Sequence, residues 1–309
     1  MDWNSAYIGD LIERALTEDV GPGDVTVAAT IATNAAGQAH ILAKRDLVCA
    51  GLPLAAEMFR RLDRQIKLDL RVADGQFVTK GQDLLHLSGK ASAILTGERT
   101  ALNFLGHLSG IATLTRQFVG QLIGTMAKIR DTRKTTTGLR LLEKYAVKMG
   151  GGTNHRIGLY DAILLKENHI ALAGGVKAAL DLAHTYAASL MKPREMTAYE
   201  AVGSAPTEAE NASLPIQIEV RNEVELREAL AAGAVSVLLD NMTPEQARRA
   251  VEIVRSTRPA CVVEISGGVT LANVRAYAES GADFLSSGAL THSAPNADLS
   301  LLVDRIQEK

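Results

Sequence analysis

Hydrophobic positions along this chain follow two rhythms. Near the start they recur at helical spacing, with Ile8, Leu11, Ile12 and Leu16 on one face of an expected amphipathic helix. The turn-rich Gly21-Pro22-Gly23-Asp24 stretch follows, and then short apolar runs at 39–43 and 69–72, separated by glycine-containing turns. From about residue 125 a strand-then-helix grammar takes over. Apolar runs fall at 162–165, 216–220, 235–239, 261–265 and 284–286. Helix starts follow several of them. Thr243-Pro244-Glu245 offers an N-cap, a proline at the first helical position and an early acid. Thr270 is expected to cap the next helix, and Gly281 to end it in a left-handed conformation. Short, near-continuous apolar strands alternating with helices predict parallel βαβ units buried on both faces. Several in succession favour a TIM-like barrel over an open sheet.

Two stretches stand apart from this grammar. Residues 73–82 read as a hairpin of the kind found in biotinyl and lipoyl modules. A carrier module would present its lysine at the hairpin tip, whereas Lys80 lies in a Val-Thr-Lys-Gly-Gln stretch used structurally, and the structural reading is preferred. Residues 187–214 carry Lys192-Pro193-Arg194, Gly203-Ser204-Ala205-Pro206 and four glutamates, a composition suited to a surface excursion.

Composition narrows the function classes. The 309 residues are 47% hydrophobic and 22% charged, enough for one large barrel or two domains. A formal net charge of −2 argues against nucleic-acid or anionic-membrane partners. No stretch is long and apolar enough for a membrane span, and Met-Asp-Trp-Asn-Ser-Ala lacks the pattern of a secretory signal. Cys49 and Cys261 are isolated and far apart, forming neither a metal cluster nor a disulfide framework. A cytoplasmic protein is expected.

Chemistry in βα barrels collects where strands end. Here those positions hold Arg133-Lys134, Lys166, Glu219, Asp240-Asn241, Ser266-Gly267-Gly268 and Ser287-Gly288. Residues 128–169 contain nine Lys or Arg and four Asp or Glu, an excess of +5 in a chain of net −2. Arg140, Lys144 and Lys148, spaced four apart, are expected on a solvated helix face. Arg133, Lys134, Arg156 and Lys166 fall beside strands or in the tight Gly150–156 loop and predict a polyanionic substrate. The two Gly-containing corners suit phosphate, and no Gly-x-Gly-x-x-Gly follows the first strand.

Longer motifs carry a family resemblance. Glu18-Asp19-Val20-Gly21-Pro22-Gly23-Asp24, Glu98-Arg99-Thr100-Ala101-Leu102-Asn103, Asp131-Thr132-Arg133-Lys134-Thr135 and Gly151-Gly152-Thr153-Asn154-His155-Arg156 resemble quinolinate phosphoribosyltransferases. So do Leu165-Lys166-Glu167-Asn168-His169, Leu239-Asp240-Asn241-Met242, Glu264-Ile265-Ser266-Gly267-Gly268 and Gly288-Ala289-Leu290-Thr291-His292-Ser293. The resemblance implies an α/β fold: an N-terminal α/β domain over residues 1–112, joined by 293–309, and a seven-stranded βα barrel over 113–292. It implies a homodimer, or a higher oligomer, with shared active sites. It also implies conversion of quinolinate and 5-phosphoribosyl 1-pyrophosphate, with Mg²⁺ and no organic cofactor, to nicotinate mononucleotide, pyrophosphate and CO₂ in NAD biosynthesis.

Carried over by motif, Arg133, His155, Arg156 and Lys166 meet the quinolinate carboxylates, and Arg99 arrives from the neighbouring subunit. Lys134 lies near the reacting centre and the pyrophosphate. Glu219 and Asp240 hold the ribose hydroxyls and the metal. Thr132, Ser266, Gly267, Gly268, Ser287, Gly288, Ala289 and His292 complete the substrate contacts. Two features depart from the family: Gln217 and Arg221 stand where further acids are common, and the 187–214 stretch is long. Two other readings are a pyrophosphorylase-like paralogue encoded near molybdenum transporters and a non-catalytic phosphoribosyl-binding regulator. The cationic set argues against the first, and both acids together with that set argue against the second.

Overall fold

The computed structural model describes residues 1–190 and 214–307. The chain divides into two compact units. One comprises Met1–Arg116, Lys148–Gly151 and the segment from Ala294 onward; the other comprises Gln117–Val147 and Gly152–Ser293.

In the first unit, α1 (Ala6–Val20) buries Ile8, Leu11, Ile12 and Leu16, the face its spacing predicts. Helix α2 (Val25–Thr30) starts where the Asp24 carboxylate accepts the Val27 N–H. Then come β1 (Ala36–Ala43), β2 (Leu47–Val48), α3 (Leu52–Leu62), β3 (Lys67–Leu70), β4 (Phe77–Val78), β5 (Asp83–Lys90) and the long α4 (Ala91–Gln121), whose residues from Gln117 belong to the second unit. The C-terminal strand Leu299–Gln307 joins an antiparallel sheet ordered C-terminal strand, β1, β5, β3. Helices α3 and α4 approach so closely at Gly97 that a Cβ there would stand 2.9 Å from Phe59 and Leu62. Residues 73–82 do not close a hairpin of their own, since β4 pairs with β2; the structural use of Lys80 holds, its side chain being exposed and its backbone N–H given to Asp46.

The second unit holds β6 (Lys128–Arg130), α5 (Arg140–Met149, running on into the first unit), β7 (Ile163–Leu165), α6 (Glu167–Ala173) and α7 (Val176–Ser189). It continues with β8 (Ile216–Val220), α8 (Glu223–Ala231), β9 (Ser236–Asp240), α9 (Pro244–Thr257), β10 (Val262–Ser266), α10 (Val274–Ala278), β11 (Phe284–Ser286) and α11 (Ala289–His292). The six strands are parallel and ordered β6-β11-β10-β9-β8-β7, so the first lies beside the last. One further parallel bridge joins Arg130 to Thr153 on the other side of β6. Each predicted apolar run in this half forms a strand, and alternation leaves Gln217 and Glu219 on one face of β8.

Two further sequence expectations change, and a third lies beyond the described residues. Thr270 does not cap a helix; α10 begins at Val274 after Asn273, whose side chain accepts the Thr270 N–H. The solvated basic face of α5 holds for the exposed Lys148, but Lys144 is only 2% exposed and points inward to an acid. The excursion assigned to 187–214 falls, for residues 191–213, outside the described residues.

Candidate active site

A cavity of about 580 Å³ opens in the second unit where the parallel strands end. Thr132, Arg133 and Lys134 line it from the loop after β6, and His155 and Arg156 from the 152–156 loop. Lys166 enters after β7, Glu219 from β8 and Asp240 from the end of β9. Ser266, Gly267 and Gly268 come from β10 and its loop, and Ser287, Gly288, Ala289 and His292 from beyond β11. Arg99, exposed on α4 in the first unit, does not line this cavity.

A buried hub holds the two cationic loops together. Lys144 Nζ donates to Asp131 Oδ1 at 2.5 Å and to the His155 carbonyl at 2.9 Å. Asp131 Oδ1 also accepts the His155 N–H at 2.8 Å. With its amide nitrogen toward the acid, Asn154 donates to Asp131 Oδ2 at 2.9 Å. Burial pushes the Asp131 carboxyl up to about 6 even though Lys144 and Arg130 pull it down. Burial likewise lowers Lys144. Asp131 leads into Arg133 and Lys134, and His155 leads into Arg156, so this pair fixes where the cations stand.

Those cations are short of acceptors. Arg156 gives one N–H to the Ala162 carbonyl, yet its Nε and that of Arg133 are buried without a hydrogen-bond partner among the described residues. Burial, and then the nearby charge of Arg133, lower the Arg156 pKa. Two guanidinium groups that repel each other and keep open donors are a receptor for an anion with planar acceptor groups. On the opposite side Lys166 Nζ lies 3.4 Å from Glu219 Oε2. Burial raises the Glu219 pKa, Lys166 lowers it and neighbouring Asp240 raises it again. Glu219 and Asp240 stand on adjacent, register-paired strands and face the same space.

Beneath them lies Glu264, which the sequence reading left out of the site. Wholly buried on β10, it accepts from Arg130 and from Gln217, each at 3.0 Å, and from the Ser286 hydroxyl. The Arg130 guanidinium also stacks 3.3 Å from the Phe284 ring centroid. A signal was available: Glu264 is two residues before Ser266, on the same strand face, and is the one charge in its apolar run.

Backbone geometry shapes the remaining wall. Gly267 has φ +90°, and a Cβ there would lie 2.2 Å from Asn241 Oδ1. Gly268 has φ +66° and faces open space, which lets a ligand approach the backbone. Thr291 donates to the Lys134 carbonyl at 2.7 Å, tying the cationic loop to α11. The Ser287 hydroxyl, by contrast, is given to the Val269 carbonyl.

Fold and pocket together define an α/β protein with a cavity lined by both cations and carboxylates at its strand ends. The model for the N-terminal domain of quinolinate phosphoribosyl transferase matches residues 24–109, and that for the C-terminal domain matches 111–203 and 190–302. The chain belongs to the quinolinate phosphoribosyl transferase family. It is 39% identical, over 95% of its length and 92% of the relative, to a probable carboxylating nicotinate-nucleotide pyrophosphorylase of Synechocystis. It is 40% identical to the Mycobacterium leprae carboxylating nicotinate-nucleotide pyrophosphorylase, over 94% of this chain and 95% of that one. Among solved structures, the nicotinate-nucleotide pyrophosphorylase of Francisella tularensis superposes with a TM-score of 0.85 at 36% identity, covering 96% of both chains.

Proposed function

We propose that the protein transfers the phosphoribosyl group of 5-phosphoribosyl 1-pyrophosphate to quinolinate, with loss of CO₂, in the synthesis of NAD. One observation carries this reading. A single pocket pairs two guanidinium groups whose buried Nε atoms lack acceptors, Arg133 and Arg156, with two carboxylates, Glu219 and Asp240. The first pair, with Lys166, suits a dicarboxylate. The second suits a ribose that becomes positively charged as its leaving group departs.

In this reading the pyridine nitrogen bonds to the anomeric carbon while the bond to pyrophosphate breaks, pyrophosphate keeping the electron pair. The ring nitrogen is then cationic. The bond to the adjacent carboxyl breaks, CO₂ leaves, and the pair held on the ring carbon takes up a proton, giving nicotinate mononucleotide. Lys134 neutralises the departing pyrophosphate, and Thr132 hydrogen-bonds beside it. Backbone N–H groups of 266–268 and of Gly288 and Ala289, with His292, hold phosphate, whereas the Ser287 N–H and hydroxyl are given to the Arg130 and Val269 carbonyls.

Glu219 and Asp240 also fit Mg²⁺. The described residues contain no cluster of three or more candidate metal ligands. Two carboxylates suit an ion that keeps water and substrate oxygens in its shell, and when bound it offsets pyrophosphate charge.

The same reading includes further features. The Arg130–Thr153 bridge supports a seventh strand and a closed barrel. The reading divides the chain into domains of residues 1–112 with 293–309, and 113–292, within a few residues of the two compact units except that Lys148–Gly151 goes with the first unit. A cytoplasmic location accords with the lack of a described helix long and apolar enough to cross a membrane. An Arg99 exposed on α4 suits a homodimer in which it completes the partner's site.

Incubation with quinolinate, 5-phosphoribosyl 1-pyrophosphate and Mg²⁺ tests the reading. Nicotinate mononucleotide and CO₂ should appear together; consumption of neither substrate would refute it.

A further inference from the structure

His155 is held at both ring nitrogens. The Arg156 backbone N–H donates to Nδ1 at 2.8 Å, so that nitrogen carries a lone pair. The ring proton then belongs on Nε2, which meets Gln217 Oε1 at 3.2 Å. Gln217 turns its amide nitrogen the other way and donates to Glu264 Oε2 at 3.0 Å. Glu264 Oε1 stands 3.6 Å from His155 Nε2, near enough to favour an imidazolium were it the nearest acceptor.

Other charges around the ring oppose that outcome. Burial most of all disfavours a protonated ring, and Arg130 on β6 and Lys144 on α5 add to it. Arg130 and Ser286 occupy the Glu264 carboxylate. Asp131, which takes the His155 backbone N–H, is itself matched by Lys144. The neutral amide of Gln217 therefore decides what the ring nitrogen meets first. Its oxygen accepts one N–H and favours a protonated ring, but less than a carboxylate in its place would, while the Arg156 N–H occupies Nδ1 where the second proton would go.

We propose that Gln217 is a positioning residue that locks His155 as the neutral Nε2–H imidazole, leaving Arg133, Arg156 and Lys166 as the charges that meet the substrate carboxylates. The second half rests on the dicarboxylate reading above; the first half does not. His155 then serves as a fixed, uncharged wall of the pocket. Selectivity for two carboxylates over one comes from the guanidinium groups and Lys166.

Nitrogen NMR on the full chain, labelled at histidine, tests this directly, with His155→Gln identifying the signals. Without substrate at neutral pH, His155 should show a protonated Nε2 and a bare Nδ1, with a titration midpoint below the ordinary 6.5. Saturating quinolinate should leave that pattern unchanged. A ring protonated at both nitrogens, or at Nδ1 alone, overturns the proposal. Gln217→Met removes the amide and leaves Glu264 as the ring's nearest acceptor. The midpoint should then rise by about one pH unit or more, and quinolinate binding should tighten several-fold on the acid side. A titration superimposable on the wild type would overturn the role given to Gln217. Should that variant not fold, the wild-type tautomer still decides. A protein with the expected tautomer that takes no quinolinate would refute the function and leave the lock standing.

Discussion

Replacing Lys144 with methionine removes the partner of a buried acid while keeping the apolar stem that fills its space. In the intact protein Asp131 has a pKa raised from 3.8 to about 6. A group that binds its proton more tightly folded than unfolded loses stabilising effect as pH rises, here from 3.8 to about 6, and is level above that. Without Lys144 the carboxyl keeps its burial and loses its largest compensating charge, so its pKa climbs further and the decline continues past neutrality. The gap between variant and wild type should thus widen from near pH 6 upward, growing by about 1.4 kcal/mol per pH unit. At about pH 7 that contributes ~1.4 kcal/mol. The lost charge-assisted bond to the His155 carbonyl adds ~1.5 kcal/mol. The total of about 3 kcal/mol matches the lower end expected for breaking one half of a buried ion pair. Urea denaturation of both proteins between about pH 5.5 and 8 measures it. Adding Asp131→Asn to Lys144→Met removes the titrating group and should flatten the pH dependence. A gap that is absent, or constant across that range, refutes the account of the hub.

Three further outcomes follow from the pocket. Arg133→Ala or Arg156→Ala should weaken quinolinate binding by roughly 2–4 kcal/mol by calorimetric titration, because each removes the forked partner of a desolvated carboxylate; unchanged affinity in both would sink that assignment. Asp240→Asn should lower turnover and blunt the response to Mg²⁺ while leaving quinolinate affinity largely intact, and the reverse pattern would exchange the roles of the two sides. Mixing Arg99→Ala with Arg133→Ala protein after subunit exchange should restore activity approaching about a quarter of wild type, since one site of each heterodimer carries neither lesion. Heterodimers without recovery would mean that Arg99 serves no neighbouring site.

Much of this was legible from the chain because parallel strands buried on both faces write themselves as apolar runs, and the residues ending them face one opening. The runs at 216–220, 235–239 and 261–265 become β8, β9 and β10, ending at or next to pocket residues. Strand β6 is only Lys-Ile-Arg and offers no such run; its place is set by pairing with β11. Lys144 was misread because four-residue spacing with Arg140 and Lys148 looks like a solvated stripe. Only tertiary structure brings Asp131 opposite it. Glu264 hid for a related reason: its partners Arg130, Gln217 and Ser286 come from three other strands. Thr270 has a capping side chain, but the turn that follows delays the helix to Val274.

The central claim is that one pocket couples ribosylation of the pyridine nitrogen to loss of the neighbouring carboxyl. Quinolinate carrying an isotope label only in the carboxyl beside the ring nitrogen tests it most directly, in a single turnover with 5-phosphoribosyl 1-pyrophosphate and Mg²⁺. The account predicts that all the label leaves as CO₂, with one unlabelled nicotinate mononucleotide and one pyrophosphate formed for each label released. Label retained in the nucleotide, or pyrophosphate released without CO₂, would contradict it.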